Sequence, residues 1–170
     1  WFFHQPFLSV YYDSGGRFKN KLPYLFTNTC NVQTGKRGIV SPVTIDPSVF
    51  VDVIDVLSPQ GRRDTAINLT LGQSVNISEL FPFLSASASV DGFNYVDGGL
   101  YENYGLTTAL EIYDACQKQL LNHRQNKNPQ IARRFGKVKM YIVTVINAQW
   151  GMPAIQPVNQ LFAPIEASYN

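Results

Sequence analysis

Several features that mark membrane-spanning, disulfide-bonded or metal-binding proteins are missing from this sequence. No run of about 18 uninterrupted apolar residues occurs, so no segment is predicted to span a bilayer. Cys30 and Cys116 are the only cysteines, and two buried free thiols are favoured over a disulfide. Their spacing is not that of a zinc site. Charged residues are only 15% of the chain and hydrophobic ones 45%, which indicates a globular protein poor in charge.

The start of the chain also lacks a targeting signal. Its first ten residues, WFFHQPFLSV, contain neither a basic region nor a small-residue cleavage site, so they are not predicted to be a signal peptide. This favours a cytoplasmic or peripheral membrane location. A chain of 170 residues is most simply one domain, residues 1–170, with a sizeable core. It opens at Trp1 and not at Met, so we expect it to be a piece of a longer protein.

Acidic residues are absent between Ala115 and Ile165, a segment that we call the basic run. Its cations are Lys118, Arg124, Lys127, Arg133, Arg134, Lys137 and Lys139. They form either a solvated helix end and loop, or a patch that faces anionic lipid headgroups. The residues expected to meet such a membrane are Lys127, Arg133, Arg134 and Lys137. Nucleic acid is not a predicted partner, because no aromatic residues alternate with these cations as far as Arg134 and no nucleic-acid motif is visible.

Three extended stretches are predicted in the first third of the chain. Tyr24–Val32 has the pattern of a strand, and Thr34–Gly38 that of a turn. Ile39–Val43 then returns as a second strand, with Pro42 where its pairing stops or where it lies at a sheet edge. Ser48–Leu57 alternates valines with aspartates and is predicted to be extended.

Two helices are predicted from apolar residues at helical spacing. The first covers Thr65–Ser78 and is broken at Pro82. Its apolar face would consist of Leu69, Val75, Ile77 and Leu80. The second begins at Leu106, and Thr107 is a candidate cap. Its apolar stripe would consist of Leu106, Ala109, Leu110, Tyr113, Cys116, Leu120 and Leu121.

The order of elements around the second helix indicates an α/β fold. A short strand from Phe93 to Asp97 precedes the helix, and the polar loop Asn126–Gly136 follows it. Val138–Ile146 is almost continuously apolar, which is typical of a strand covered on both faces. Strand, helix and buried strand form one βαβ unit, so a mostly parallel sheet flanked by helices is predicted.

The turn that begins at Asp97 is the candidate functional site. Asp97 ends a strand, at a rim where its carboxylate would be free, and Gly98 and Gly99 follow it. Glycine adopts backbone angles that are closed to other residues and lets another group come near. The simpler interpretation is a strand-to-helix turn in which Asp97 only accepts hydrogen bonds from nearby amides.

Three ordered segments of the chain resemble the patatin-like lipid acyl hydrolases. TNTCNVQTGKRGIVSPV, from Thr27 to Val43, is similar to the strand–turn–strand segment of that family. LGQSVNISELFPFLSAS, from Leu71 to Ser87, is similar to its small-residue helix leading to Phe-Pro. YVDGGLYENYG, from Tyr95, is similar to its catalytic Asp-Gly-Gly/Ala turn. The resemblance extends over residues 23–147.

The resemblance implies a three-layer, patatin-like α/β fold and a serine hydrolase that needs no cofactor. In that family a serine attacks an acyl ester of a phospholipid or neutral lipid, and an aspartate accepts the serine proton directly. Asp97 would be that aspartate, and Gly98 and Gly99 would let the serine come close. Asn103 matches the family's asparagine after the turn, where it would tie the loop to the helix start. Histidine is not required in such a dyad.

One part of the family pattern is absent. No G-x-S-x-G occurs among the 170 residues, so the nucleophilic serine is expected in an N-terminal part of the same protein, and this chain is expected to be the C-terminal part of the catalytic domain. A non-catalytic patatin-like module that binds lipid or a protein partner is the alternative. An unrelated doubly wound domain, in which Asp97 contacts a polar ligand at a strand's carboxyl end, is a third possibility.

Overall fold

The structure is a computed structural model that describes residues 1–19, 22–58, 67–102 and 104–145. Its five strands are β1 (Thr27–Asn31), β2 (Arg37–Val40), β3 (Val53–Asp55), β4 (Ala88–Val90) and β5 (Phe93–Asp97). Its four α-helices are α1 (Phe7–Tyr11), α2 (Leu71–Ile77), α3 (Leu106–Arg124) and α4 (Pro129–Gly136). Short 3₁₀ helices cover Phe2–His4 and Gly98–Leu100.

The strands form one mixed sheet in the order β3-β2-β1-β5-β4. Only β2 and β3 pair in parallel, while β1 is antiparallel to both β2 and β5, and β4 is antiparallel to β5. The fold is therefore α/β, but the prediction of a mostly parallel sheet is wrong. The short connections from β1 to β2 and from β4 to β5 explain why these pairs are antiparallel, because strands joined by a tight turn must run in opposite directions. Asp91 and Gly92 join β4 to β5 with φ angles of 51° and 78°, as a two-residue hairpin requires.

The predicted strand Val138–Ile146 is not observed in its described part. Residues 138–145 carry no strand pairing, and Ile146 lies outside the described residues. Tyr141, Val143 and Val145 are 79%, 83% and 90% exposed. A strand covered on both faces needs neighbouring strands and packed helices. Residues 138–145 do not have them, because α3 leads into α4 and not back to the described sheet. The βαβ interpretation is therefore wrong for the described residues, and the predicted loop Asn126–Gly136 contains a helix.

Apolar clusters cover both faces of the sheet. The larger cluster joins strand residues to α1 and α2 and consists of Phe7, Val10, Tyr11, Val40, Val56, Leu57, Leu69, Leu71, Ile77, Val90 and Tyr95. The smaller cluster consists of Ile39, Ile45 and Phe50, with half-buried Ile112 of α3 packed against it. Neighbouring residues Ile39 and Val40 of β2 belong to different clusters, because side chains alternate across a strand. The sheet thus has helical residues on each side.

Helix α2 begins at Leu71 because Thr70 caps it, and Thr65 and Ala66 of the predicted helix lie outside the described residues. The Thr70 hydroxyl accepts from the Gln73 amide at 3.1 Å, and the Gln73 side chain accepts from the Thr70 amide at 2.8 Å. This capping box fixes the first turn and satisfies two backbone donors. The buried residues of α2 are Leu71, Ser74 and Ile77. Val75, which was predicted to belong to the apolar face, is only half-buried.

Helix α3 begins at the predicted residue, but its cap and its buried face differ from prediction. Gly105, with φ of 63°, is the N-cap, and Thr107 does not cap the helix. Thr108 and Leu120 are the buried residues of α3, whereas much of the predicted stripe, including Leu110 and Leu121, is exposed. Cys116 is exposed as well, and Cys30 is half-buried, so the prediction of two buried thiols is wrong. Among the described residues, no helix combines the length and the apolar character that a membrane crossing requires.

Candidate functional site

Asp97 is the last residue of β5 and lies opposite Thr29 of β1. Its carboxylate Oδ1 accepts a hydrogen bond from the Gly99 amide at 2.7 Å, which starts the 3₁₀ helix Gly98–Leu100. Its backbone amide donates to the carbonyl of Leu80 at 2.9 Å. The residue is half-buried, and Oδ2 makes no hydrogen bond to any residue that the structure describes. One carboxylate oxygen is thus held, and the described residues leave the other unbonded.

An open cavity of about 510 Å³ lies beside Asp97. Its walls come from β1, from the end of α2, and from the turn that leads into α3. The lining residues are Phe26, Thr27, Asn28, Ser78, Glu79, Asp97, Gly98, Gly99, Glu102 and Gly105. The expectation that Asp97 stands at an accessible rim therefore agrees with its position. A small polar group can reach the carboxylate from this cavity.

Gly98 is required by packing and not by an unusual backbone angle. Its φ is not in the left-handed region. A Cβ at this position would lie 2.7 Å from the carbonyl carbon of Asn28, nearer than real Cβ atoms come to backbone. The close neighbour is therefore strand β1, which brings Asp97 and Asn28 to the same end of the sheet.

Ser78 is the serine among the cavity-lining residues. Its hydroxyl donates to the carbonyl of Val75 at 2.6 Å, and the residue is the C-cap of α2. The backbone after it continues into a turn and not into a helix, so Ser78 lacks the strand–turn–helix setting that exposes a nucleophile. The cavity supplies a carboxylate without an activated serine.

Asn103 lies outside the described residues, so its predicted role stays a prediction. Its neighbour Glu102 does tie the turn to the helix start. Glu102 Oε2 accepts from the Thr107 amide at 2.8 Å, and Oε1 accepts from the Asn28 side chain at 3.4 Å. An acidic side chain at the positive end of a helix is electrostatically favourable. Glu102 in the run YEN was not singled out from the sequence, although its place just before the helix was a usable signal.

Buried Arg37 and Glu111 were also missed by the sequence analysis. Arg37 was placed in a predicted turn, whereas it is the first residue of β2 and is fully buried. Its guanidinium forms an ion pair with Glu111 of α3. A basic residue that follows Thr-Gly-Lys has the local context of a solvated turn. Its glutamate partner lies 74 positions away. Local patterns do not reveal a pair of that separation.

The cations that were predicted to meet a membrane are exposed on and around α4. Lys127, Arg133, Arg134 and Lys137 are all exposed, and none forms an ion pair among the described residues. Arg124 differs from them, because its side chain donates to the carbonyl of Val138 at 2.7 Å. The geometry thus separates the free cations from one with a structural role.

No metal-binding cluster is found among the described residues. They contain no group of three or more histidine, cysteine, aspartate or glutamate side chains arranged to hold a metal ion. Comparisons of the chain with protein-family models, with curated proteins and with solved structures found no match.

Proposed function

We propose that this chain is part of a patatin-like serine lipid acyl hydrolase and that Asp97 is the base of its Ser–Asp dyad. The observation that carries the proposal is the state of the Asp97 carboxylate. Oδ1 is fixed by the Gly99 amide, and Oδ2 has no partner among the described residues, in the wall of an open cavity. A base must be fixed and must also have a free lone pair within reach of its proton donor.

In the proposed reaction, a serine hydroxyl enters the cavity and donates its proton to Asp97. The serine oxygen attacks the carbonyl carbon of a phospholipid or neutral lipid ester, and an acyl-enzyme forms. The proton then passes to the departing alcohol. Water hydrolyses the acyl-enzyme in the second half of the reaction, with Asp97 again accepting a proton. The chemistry needs no cofactor.

The nucleophile is proposed to lie in an N-terminal part of the same protein. The support for this is the sequence, in which no G-x-S-x-G occurs, and the setting of Ser78, which does not expose its hydroxyl as a nucleophile elbow does. The 170 residues by themselves should therefore neither turn over a nitrophenyl ester nor react with a fluorophosphonate probe. A labelled serine within them would place the nucleophile in this chain.

The absence of a G-x-S-x-G from the 170 residues favours a second candidate function. This is a non-catalytic patatin-like module that binds lipid or a protein partner. The exposed cations on and around α4 suit an anionic membrane surface in either case, since each cation near such a surface contributes about 1 kcal/mol of binding free energy. A peripheral membrane location is part of both proposals. The two functions differ in whether Asp97 takes a proton.

Substitution of Asp97 in the full-length protein separates these functions. Asp97→Asn keeps the shape of the side chain but removes its ability to accept the serine proton, so kcat should fall by a factor of about 10² to 10⁴. Asp91→Asn is the matched control, because Asp91 is an exposed aspartate in the β4–β5 turn and asparagine tolerates its positive φ. Hydrolysis is measured per folded molecule, with the melting temperature recorded for each variant.

Two outcomes would reject the catalytic assignment. The first is near-parental hydrolysis by Asp97→Asn with a lowered melting temperature, which would mean that Asp97 only braces the turn. The second is a full-length protein that neither hydrolyses esters nor reacts with fluorophosphonate, which would favour the binding module.

A further inference from the structure

Arg37 is a buried charge that hydrogen bonds connect, through Thr108, to Asn28 in the wall of the candidate site. Its side chain is 0% exposed. Removing a guanidinium from water is costly unless it is paired and hydrogen-bonded. Nη2 pairs with Glu111, Nη1 donates to the Thr108 hydroxyl at 2.8 Å, and the guanidinium carbon lies 5.4 Å from the centre of the Tyr101 ring. Nε has no hydrogen-bond partner among the described residues, so the burial is only partly compensated.

A directed chain of hydrogen bonds leads from Arg37 to the turn that follows Asp97. The Thr108 hydroxyl accepts from Arg37 and donates to Asn28 Oδ1 at 2.9 Å. Asn28 Nδ2 then donates to Glu102 Oε1 at 3.4 Å. The chain has a cation at one end and a carboxylate at the other, and hydrogen bonds aligned in this way polarise one another. We call the residues Arg37, Thr108, Asn28 and Glu102 the relay.

The relay and the Tyr101 ring contact the Asp97 turn at two points. Asn28 is the residue whose backbone carbonyl lies against Gly98, so the middle of the relay contacts the turn directly. Tyr101, whose ring lies near the guanidinium, is the C-cap of the 3₁₀ helix that Asp97 starts. Glu111 pairs with Arg37 from the second turn of α3, so only the first two turns of that helix take part. Each end of the 3₁₀ helix is therefore connected to Arg37, the first through Asn28 and Thr108 and the second through Tyr101.

We propose that Arg37 is a positioning residue that fixes the place of the Asp97 carboxylate through Tyr101 and the Thr108–Asn28–Glu102 bonds. The effect on catalysis rests on the proposed hydrolase function, whereas the effect on the turn does not. A reacting group displaced by about 1 Å can lose a factor of about 10² in rate. Only arginine can serve this role, because its planar fork donates to Glu111 and Thr108 at the same time, while lysine is a single point charge.

Thr108→Val is the substitution that tests the relay with least damage. It preserves the shape of the side chain but removes the hydroxyl, so Arg37 Nη1 loses its acceptor and Asn28 Oδ1 loses its donor. Thr44→Val is the matched control, because Thr44 is exposed and its side chain makes no hydrogen bond among the described residues. Arg37→Lys is a second variant, which keeps a charge near Glu111 without the fork.

Two measurements on the full-length protein are combined. Hydrogen exchange reports the opening of residues 98–107, and steady-state kinetics of ester hydrolysis, normalised to the fluorophosphonate-reactive fraction, report catalysis. For Thr108→Val we expect amide exchange in residues 98–107 to accelerate about tenfold or more while β1 and β2 keep their protection. We also expect kcat to fall about tenfold with KM within about twofold of the parent, because the base is displaced while ester binding is retained. Arg37→Lys should change both at least as much, because lysine cannot donate to Glu111 and Thr108 through one planar fork.

The outcomes separate this inference from the proposed function. If Thr108→Val matches Thr44→Val in both measurements, the relay does not position the turn. Faster exchange with an unchanged kcat would also overturn the positioning role. If exchange accelerates in a full-length protein that has no hydrolase activity, the relay holds the turn and the proposed hydrolase function is rejected instead.

Discussion

Gly98 lies against the backbone carbonyl of Asn28, so that a Cβ at Gly98 would stand 2.7 Å from that carbonyl carbon. Backbone cannot yield there without shifting β1 from β5, because Thr29, which follows Asn28, pairs with Asp97 in the ladder. The position of Asp97, the candidate base, therefore depends on the close packing of Gly98 against β1 and on the pairing of β1 with β5.

Gly98→Ala should destabilise the protein by about 1–3 kcal/mol, the usual cost of forcing extra atoms into a packed site. The measurement is urea-induced unfolding. Gly136→Ala is the control, because a Cβ at Gly136, in α4, meets nothing within 4 Å and its φ is not left-handed. That control should be neutral or slightly stabilising, since alanine favours helix over glycine. Equal stability of the two variants would show that the turn does not press on β1.

Tyr95→Phe should change how stability depends on pH. Tyr95 is fully buried, with the Asn31 side chain beside its hydroxyl. Burial raises the pKa of the Tyr95 phenol above its ordinary value of about 10. The folded state therefore favours the neutral phenol. The contribution of Tyr95 to stability is complete below the pKa of the unfolded state and is lost as the pH rises through the pKa of the folded state.

The free energy of unfolding of the parent should thus fall above pH of about 10, while that of Tyr95→Phe should fall less steeply. At pH 7, where the phenol is neutral in both states, the variant should differ from the parent by no more than about 1.5 kcal/mol, the net contribution of one hydrogen bond. Tyr104→Phe is the control, since Tyr104 is 60% exposed and the variant removes a phenol that folding does not bury. Parallel curves for the parent and Tyr95→Phe would contradict the prediction.

The two thiols should react at different rates. Burial raises the pKa of Cys30, which reduces the fraction of reactive thiolate, whereas Cys116 is exposed on α3. At pH 8, a disulfide reagent should modify Cys116 at least about tenfold faster than Cys30. Cys116→Ser and Cys30→Ser assign the two phases. A fast phase that survives in Cys116→Ser would show that Cys30 is accessible.

The parts of the fold that the sequence predicted are those determined by local signals. The strand near Thr27–Asn31, the β5 strand and the start of α3 at Leu106 follow from period-2 and helical patterns. The capping box at Thr70 and the Asp91-Gly92 hairpin carried equally local signals that were not used. Use of the hairpin would have placed β4 beside β5 in antiparallel order.

The incorrect predictions depend on partners that are distant in sequence. The pattern of Val138–Ile146 predicts a strand only if neighbouring strands cover it, and the described sheet does not extend to residues 138–145. Arg37 has the local context of a turn residue, and only Glu111 makes its burial tolerable. For the candidate site, the sequence predicted Asp97 and the importance of Gly98, but not Asn28, which forms the surface against which Gly98 packs.

The exposed cations on and around α4 should contribute to binding of anionic membranes. Arg133 and Arg134 lie on the exposed side of α4, whereas Ile131 and Phe135 of the same helix are half-buried. Arg133→Glu/Arg134→Glu removes two attractive charges, each worth about 1 kcal/mol near the membrane, so binding to vesicles rich in phosphatidylserine should weaken about tenfold or more. The effect should fade at 0.5 M salt, because the screening length of about 10 Å at 0.1 M shortens as salt rises.

Arg17→Glu/Lys19→Glu is the matched control for that experiment. It changes the net charge by the same amount, and both residues are exposed, but they lie in the segment between α1 and β1 and not on α4. Binding is measured by vesicle sedimentation, with neutral phosphatidylcholine vesicles alongside. A control that loses as much binding as the α4 variant would mean that net charge alone governs attraction. Unchanged binding by the α4 variant would mean that these cations are only a solvated surface, because reversal of two contacting charges cannot leave an electrostatic affinity intact.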